Sequence, residues 1–276
     1  MPILHAILLG LVQGLTEFLP VSSSGHLALV PWLFGWDDFG GDPALEDAFD
    51  VALHLGTLVG AVAYLRADVL RFGRAGLRWL RSGGRRPEGD ARTACLLATT
   101  VVPTAALGLA VLAVAGDLGD RIWLVAVCLV AFGVVMWRVD RWAGSGGTSM
   151  ADLSFGRAAW LGVAQGLAFQ PGVSRSGVVL TLARGMGVER SEAARLSFLM
   201  ALPVVFGAGL VSLGGLTVPS GWWAPFLAGT LASAVSGWVA VHVLLRVVAR
   251  AGLGRFAAYR AVAGLAVLTL LVAGVR

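Results

Sequence analysis

The chain has 276 residues, 57% of them hydrophobic and 13% charged, with a mean hydropathy of +0.81; soluble domains carry about 25% charged residues, so the composition excludes one and points to an integral membrane protein. The net charge of +5 comes from Arg with no Lys, and the Arg residues are sorted by loop along the chain, which excludes a nucleic-acid partner in favour of membrane lipids. The apolar runs are long, lack strand alternation and are rich in Leu, Val, Ala and Gly. An outer-membrane barrel is therefore excluded, and an all-α polytopic fold remains, because hydrocarbon admits only helices and closed barrels.

The N-terminus, MPILHAILLG, has neither a basic leader region nor a small-residue cleavage site, and reads as part of the fold rather than as a signal peptide. The first apolar segment, about 3–33, is interrupted at its centre by QGLTEFLPVSSSGHL, Gln13 to Leu27. Gln13 and Glu17 are four apart and share a helix face. Pro20 ends that helix near Leu19. Ser22, Ser23 and Ser24 then stand where they cap a second half-helix beginning near Gly25. A straight span does not tolerate such a centre, but a re-entrant hairpin lining a protected cavity does.

An acidic stretch, Trp36–Asp50, leads into six apolar runs, roughly 50–65, 93–115, 121–138, 195–214, 223–246 and 258–275, each near the ~20 residues that cross a bilayer. The first is short, so it is tilted or starts in the preceding loop. Between the third and fourth runs lies a second interrupted segment, about 157–186. Its Leu161–Gly177, LGVAQGLAFQPGVSRSG, matches Leu9–Gly25, LGLVQGLTEFLPVSSSG, at a constant offset of 152 with nine of 17 positions identical. Gln165, Ser174 and Ser176 repeat Gln13, Ser22 and Ser24, while Arg175 stands where the first copy has Ser23. We read this as one membrane domain, 1–276, built by duplication: repeat 1 over about 1–140 and repeat 2 over about 155–276, each a re-entrant hairpin plus three spans. Three spans between the hairpins make the repeats inverted, and their tips are expected to meet near the midplane.

Under this topology 18 of the 21 Arg fall on one side, including eight in Arg66–Arg92; Arg121 and Arg276 fall on the other, and Arg175 lies within the membrane. The positive-inside rule makes the Arg-rich side cytoplasmic, so both termini and the first hairpin face outward. Cys95 and Cys128 read as apolar packing residues, and His5 and His242 as structural histidines.

The assembled tips hold one carboxylate, one guanidinium, one imidazole (His26), several hydroxyls and two half-helix N-termini. A guanidinium in lipid is costly unless paired, its fork matches phosphate oxygens, and helix N-termini favour anions. The set reads as a site for the phosphorylated headgroup of a lipid. A hydrolase is one reading; a transporter or flippase of a lipid phosphate is the other, since inverted re-entrant tips are also a transporter plan.

The motifs QGLTEFLPVSSSGHL and PGVSRSG, with FDVALHLGTLVG (Phe49–Gly60) and LSFLMALPVVFGA (Leu196–Ala208), resemble the undecaprenyl-diphosphatase family of the bacitracin-resistance type over nearly the whole chain. The resemblance implies hydrolysis of undecaprenyl diphosphate to the monophosphate and phosphate at the outer face of the bacterial plasma membrane, recycling the carrier lipid of cell-wall synthesis, with help from Mg²⁺ or Ca²⁺. It puts Gln13 and Glu17 on the family's acidic motif, Ser23, His26 and Arg175 on its active-site positions, and Glu17 on the metal. Gln13, Ser22, Ser24, Gln165, Ser174 and Ser176 are the substrate-binding candidates. Ser23, His26 and water remain alternative nucleophiles, with His26 also able to protonate the leaving oxygen. The family's second motif often has Thr two residues after its final Gly; Val179 stands there instead, and the nearest is Thr181. Oligomeric state stays open, a homo-oligomer included.

Overall fold

The computed structural model describes residues 1–115, 121–144, 147–213 and 218–275. Among them the protein is all-helical, with eleven α-helices: α1 Ile3–Phe18, α2 Ser23–Phe34, α3 Pro43–Tyr64, α4 Arg66–Arg81, α5 Gly89–Ala115, α6 Ile122–Trp142, α7 Phe155–Leu167, α8 Arg175–Gly185, α9 Arg190–Leu213, α10 Trp223–Ala251 and α11 Gly254–Val272. Five helices, α5, α6, α9, α10 and α11, are long and apolar enough to cross a membrane; α3 with α4 makes a sixth candidate, bent by 83° between Tyr64 and Arg66. The protein is a polytopic membrane protein, and side chains such as Val102, Leu231 and Val262 stay exposed on its helices because a lipid-facing surface has no reason to bury them.

Both interrupted segments are helical hairpins, α1–α2 and α7–α8. The span foreseen at 50–65 is longer than its apolar run. It starts at Pro43 behind an Asp42 side chain that caps Ala44 and Leu45, so its first turns are the acidic loop of the sequence. Arg66–Arg92 is not an open loop either. Its first part is α4, which buries Asp68, Phe72 and Ala75 and lies against α5; alternating Arg and apolar residues suit a helix lying at a membrane surface. The end of the 195–214 run, two residues of the 138–157 loop and Arg276 lie outside the described residues.

Small residues set the packing. α1 lies along α10 and α7 along α5. A Cβ added to Gly10 would meet the Gly229 carbonyl oxygen at 2.3 Å, and one on Gly14 the Ser236 Oγ at 1.9 Å and the Ser233 carbonyl oxygen at 2.5 Å. The equivalents on α7 are Gly162, 2.3 Å from the Thr100 oxygen, and Gly166, 2.8 Å from Leu107 Cβ. Glycines four apart let membrane helices touch backbone to backbone. The largest buried apolar cluster joins Phe18, Leu161, Leu180, Phe198 and Leu244, drawn from both hairpins and from α9 and α10.

Candidate active site

Each hairpin tip is built the same way. α1 runs out at Phe18, with Leu19 extended at ψ 141° ahead of Pro20. Ser22 then takes a positive φ of 75° and caps α2, accepting a hydrogen bond from the Gly25 N–H. In the second tip Ser174 has φ 79° and caps α8 through the Gly177 N–H. Ser22 and Ser174 are the only non-glycine residues with positive φ among those described. A serine held there costs about 1–3 kcal/mol of backbone strain, and both copies of the turn retain it.

The tips meet. The Gly172 N–H donates to Ser22 Oγ at 3.0 Å, and Ser176 Oγ donates to the Leu19 carbonyl at 3.0 Å. Glu17 lies across the junction. Its Oε1 accepts from Arg175 at 2.6 Å; its Oε2 accepts from Ser23 Oγ at 2.5 Å and Gln13 Nε2 at 2.9 Å. Glu17 is 6% exposed, so its charge stays affordable only through these donors and the guanidinium. A cavity of about 370 Å³ opens over this group. Glu17, Ser22, Ser23, Ser24, Ser174 and Arg175 line it; α3 adds Asp47, Asp50 and His54, and α9 adds an apolar wall including Val205, Ala208 and Gly209.

The other sequence candidates lie elsewhere. His26 does not line the cavity: its Nδ1 donates to the Ser22 carbonyl at 2.7 Å, and its Nε2 sits 2.6 Å from the Tyr259 hydroxyl, on which the ring stacks. Gln165 is buried and donates to Thr104 Oγ1 at 3.2 Å, and Ser176 is spent on Leu19. Thr181 bonds back to the Gly177 carbonyl at 2.6 Å, and Val179 is fully buried, so neither offers the hydroxyl of the family motif. His5 pairs with Asp38 at 2.8 Å and stacks on Trp36, His242 meets the Tyr64 hydroxyl at 3.2 Å, and both cysteines are free, as packing roles require.

Arg260 was counted in the sequence among the Arg of a cytoplasmic loop. It stands instead inside α11, 1% exposed. It donates to the carbonyls of Pro20 (3.1 Å), Gly172 (2.8 Å) and Val173 (3.0 Å) at the tips, and to Cys128 and Leu129 on α6. The broken helices leave carbonyls that no N–H can reach, and one guanidinium with five donors satisfies them. Arg260 therefore drops out of the loop charge count. The missed residues are His54, Tyr259 and Arg260. A polar group inside an apolar run is the signal that would have found each of them.

The residues present do not make a protein-held metal site. Both Glu17 oxygens are committed, and the described residues contain no group of three or more His, Cys, Asp or Glu placed to hold an ion; Ca²⁺ and Mg²⁺ ask for six or more oxygens. Among the described residues, Glu17 as a metal ligand is thus left without companions.

Residues 6–266 match the family model described as bacitracin resistance protein BacA. The chain belongs to the BacA family. It is 40% identical over 275 residues to an undecaprenyl-diphosphatase of Gemmatimonas aurantiaca, covering 98% of both proteins. It is also 41% identical over 288 residues to one of Geobacter sulfurreducens, covering 99% of this chain and 100% of that protein. The Nocardioides sp. undecaprenyl-diphosphatase is 40% identical over 276 residues, 99% and 97% of the two chains. The four stretches on which the sequence resemblance rests fall on the two tips, α3 and α9, which surround the cavity.

Proposed function

We propose that this BacA-family chain hydrolyses undecaprenyl diphosphate to undecaprenyl phosphate and phosphate. The relatives' names support the substrate. The observation that carries the chemistry is the chain Arg175–Glu17–Ser23, assembled from two hairpins at the floor of one cavity. Phosphoryl transfer asks for charge stabilisation and an aligned nucleophile. The diphosphate competes with Glu17 for Arg175, whose fork takes two phosphate oxygens; the first turns of α2 and α8 add partial positive charge. Glu17, relieved of its ion pair, takes the proton of Ser23, and Ser23 Oγ attacks the terminal phosphorus. His26, turned away with both nitrogens bonded, orients Ser22 and is assigned no proton step. The polyprenyl tail lies along the apolar wall of α9. Mg²⁺ or Ca²⁺ enters this reading only as a companion of the diphosphate oxygens.

The same reading places the site at the outer face of the plasma membrane, both termini outside, and treats 1–140 and 155–276 as inverted repeats. Support comes from the Arg distribution, from the three spans α3, α5 and α6 between the hairpins, and from the docking of each hairpin on a long helix of the other half, α1 on α10 and α7 on α5. No observation favours a transporter.

The test is phosphate release from polyprenyl diphosphate by purified protein in detergent. Wild type is expected to turn over and Ser23→Ala to be inactive, with acid-stable phosphoserine trapped in the wild type. Full turnover by Ser23→Ala would end the covalent reading, and binding without hydrolysis by the wild type would end the hydrolase.

A further inference from the structure

The mechanism above leaves a proton unplaced. Once Glu17 has taken the Ser23 proton it cannot also deprotonate the water that must cleave the phosphoserine, so a second acceptor has to stand within reach. His26 is not that group, since it lies outside the cavity with both nitrogens occupied.

His54 is inside the cavity. Its Nδ1 lies 2.8 Å from the Asp50 carbonyl; a carbonyl only accepts, so Nδ1 carries a proton and the neutral ring presents its lone pair at Nε2. That Nε2 is 3.6 Å from Glu17 Oε2, the oxygen that also holds the Ser23 hydroxyl. The charged or titratable side chains around it are Glu17 from α1, Arg175 from α8, and Asp47 and Asp50 of its own helix. An imidazole with a fixed tautomer, a free nitrogen on the reacting side and a carboxylate to steady its charged form has the parts of a general base.

We propose that His54 is a further catalytic residue, the base that activates water against phospho-Ser23; this rests on the Ser23 reading given above. In the first half the Ser23 Oγ–P bond forms and the bridging P–O bond breaks. The electron pair leaves with polyprenyl phosphate, and the serine proton sits on Glu17. In the second half water attacks phosphorus and gives its proton to His54 Nε2. The P–Oγ bond breaks, and Ser23 recovers the proton from Glu17. The imidazolium loses its proton to the departing phosphate.

The experiment uses polyprenyl diphosphate labelled in the terminal phosphate, with purified His54→Gln and His54→Asn. Asn keeps a donor toward Asp50 and so preserves the local packing; melting temperature and elution report folding. The expected result is a burst of one polyprenyl monophosphate per enzyme, label retained on Ser23, and phosphate release slowed about 100-fold or more. Imidazole added to His54→Ala is expected to restore release. Wild-type rates in the folded variants, or loss of the burst with Ser23→Ala also inactive, overturns the role of His54. Turnover by Ser23→Ala instead identifies the phosphoserine reading as the one that failed.

Discussion

The two hairpin tips share a backbone and divide the chemistry. Position for position, Ser22 and Ser174 carry the same strained φ and the same cap, and Gln13 and Gln165 are both fully buried. Yet Glu17 is replaced by Phe169, Ser23 by Arg175 and His26 by Val178. The first tip holds the acid and the hydroxyl, the second only the cation, and neither is a site alone. On the proposed function, the three differing positions give one of two similar turns its reactive groups and leave the other to hold charge. The retained Gln165, now bonded to Thr104, shows a repeat residue drawn into packing.

The hardest way to break this division is to remove its cross-tip pair. Arg175→Ala and Glu17→Ala are each expected to cut phosphate release by at least 10²–10³-fold, about 2.7–4 kcal/mol of barrier, with the protein still eluting as a folded species; either variant near wild-type rate would refute the shared site. A second comparison concerns the glycines. Gly14→Ala drives a methyl to 1.9 Å from Ser236 Oγ and 2.5 Å from a backbone oxygen, whereas Gly166→Ala meets the looser contacts of Leu107 Cβ at 2.8 Å and the Thr104 carbonyl oxygen at 3.1 Å. Overpacking costs about 1–3 kcal/mol, and Gly14→Ala is expected at or above the top of that range and Gly166→Ala within it, read as melting temperatures in detergent. Third, Ser22→Ala and Ser174→Ala both lose a cap worth about 1 kcal/mol, but Ser22→Ala also orphans the Gly172 N–H; it is expected to be less stable by a further 1 kcal/mol or more, and equal melting curves would deny the cross-tip bond. The smallest effect is expected for Ser174→Gly, where relief of the strained φ is offset by the lost cap together with the larger chain entropy that Gly gives up on folding; a loss of stability beyond about 1 kcal/mol would show that the serine does more than turn the chain.

The hairpins, the long spans and the juxtaposition of Glu17 with Arg175 were legible because they are written in local terms: apolar run length, a proline, a serine cluster and an internal match. What escaped depends on direction. Nothing in the motif tells which way His26 points, and the imidazole turned to Tyr259 on the last helix, 233 residues away. His54 sat inside a stretch already singled out by resemblance, but its importance comes from α3 lying beside the tips. Arg260 falls two residues inside the 258–275 run, where a charge count by loops still places it at the boundary, while the helix begins at Gly254. α4 was hidden in the same way, since Arg-rich sequence signals the membrane boundary without saying whether it is coiled or helical.

The Arg260 contacts carry a consequence for how the protein comes into being. The carbonyls it gathers belong to chain segments at Pro20, Cys128–Leu129 and Gly172–Val173, and the guanidinium itself arrives on α11, the last helix described to leave the ribosome. Until that helix is inserted, both turns wait in the bilayer without the donor that completes them. A chain halted before Gly254 lacks that donor, and is expected to integrate into membranes yet release no phosphate.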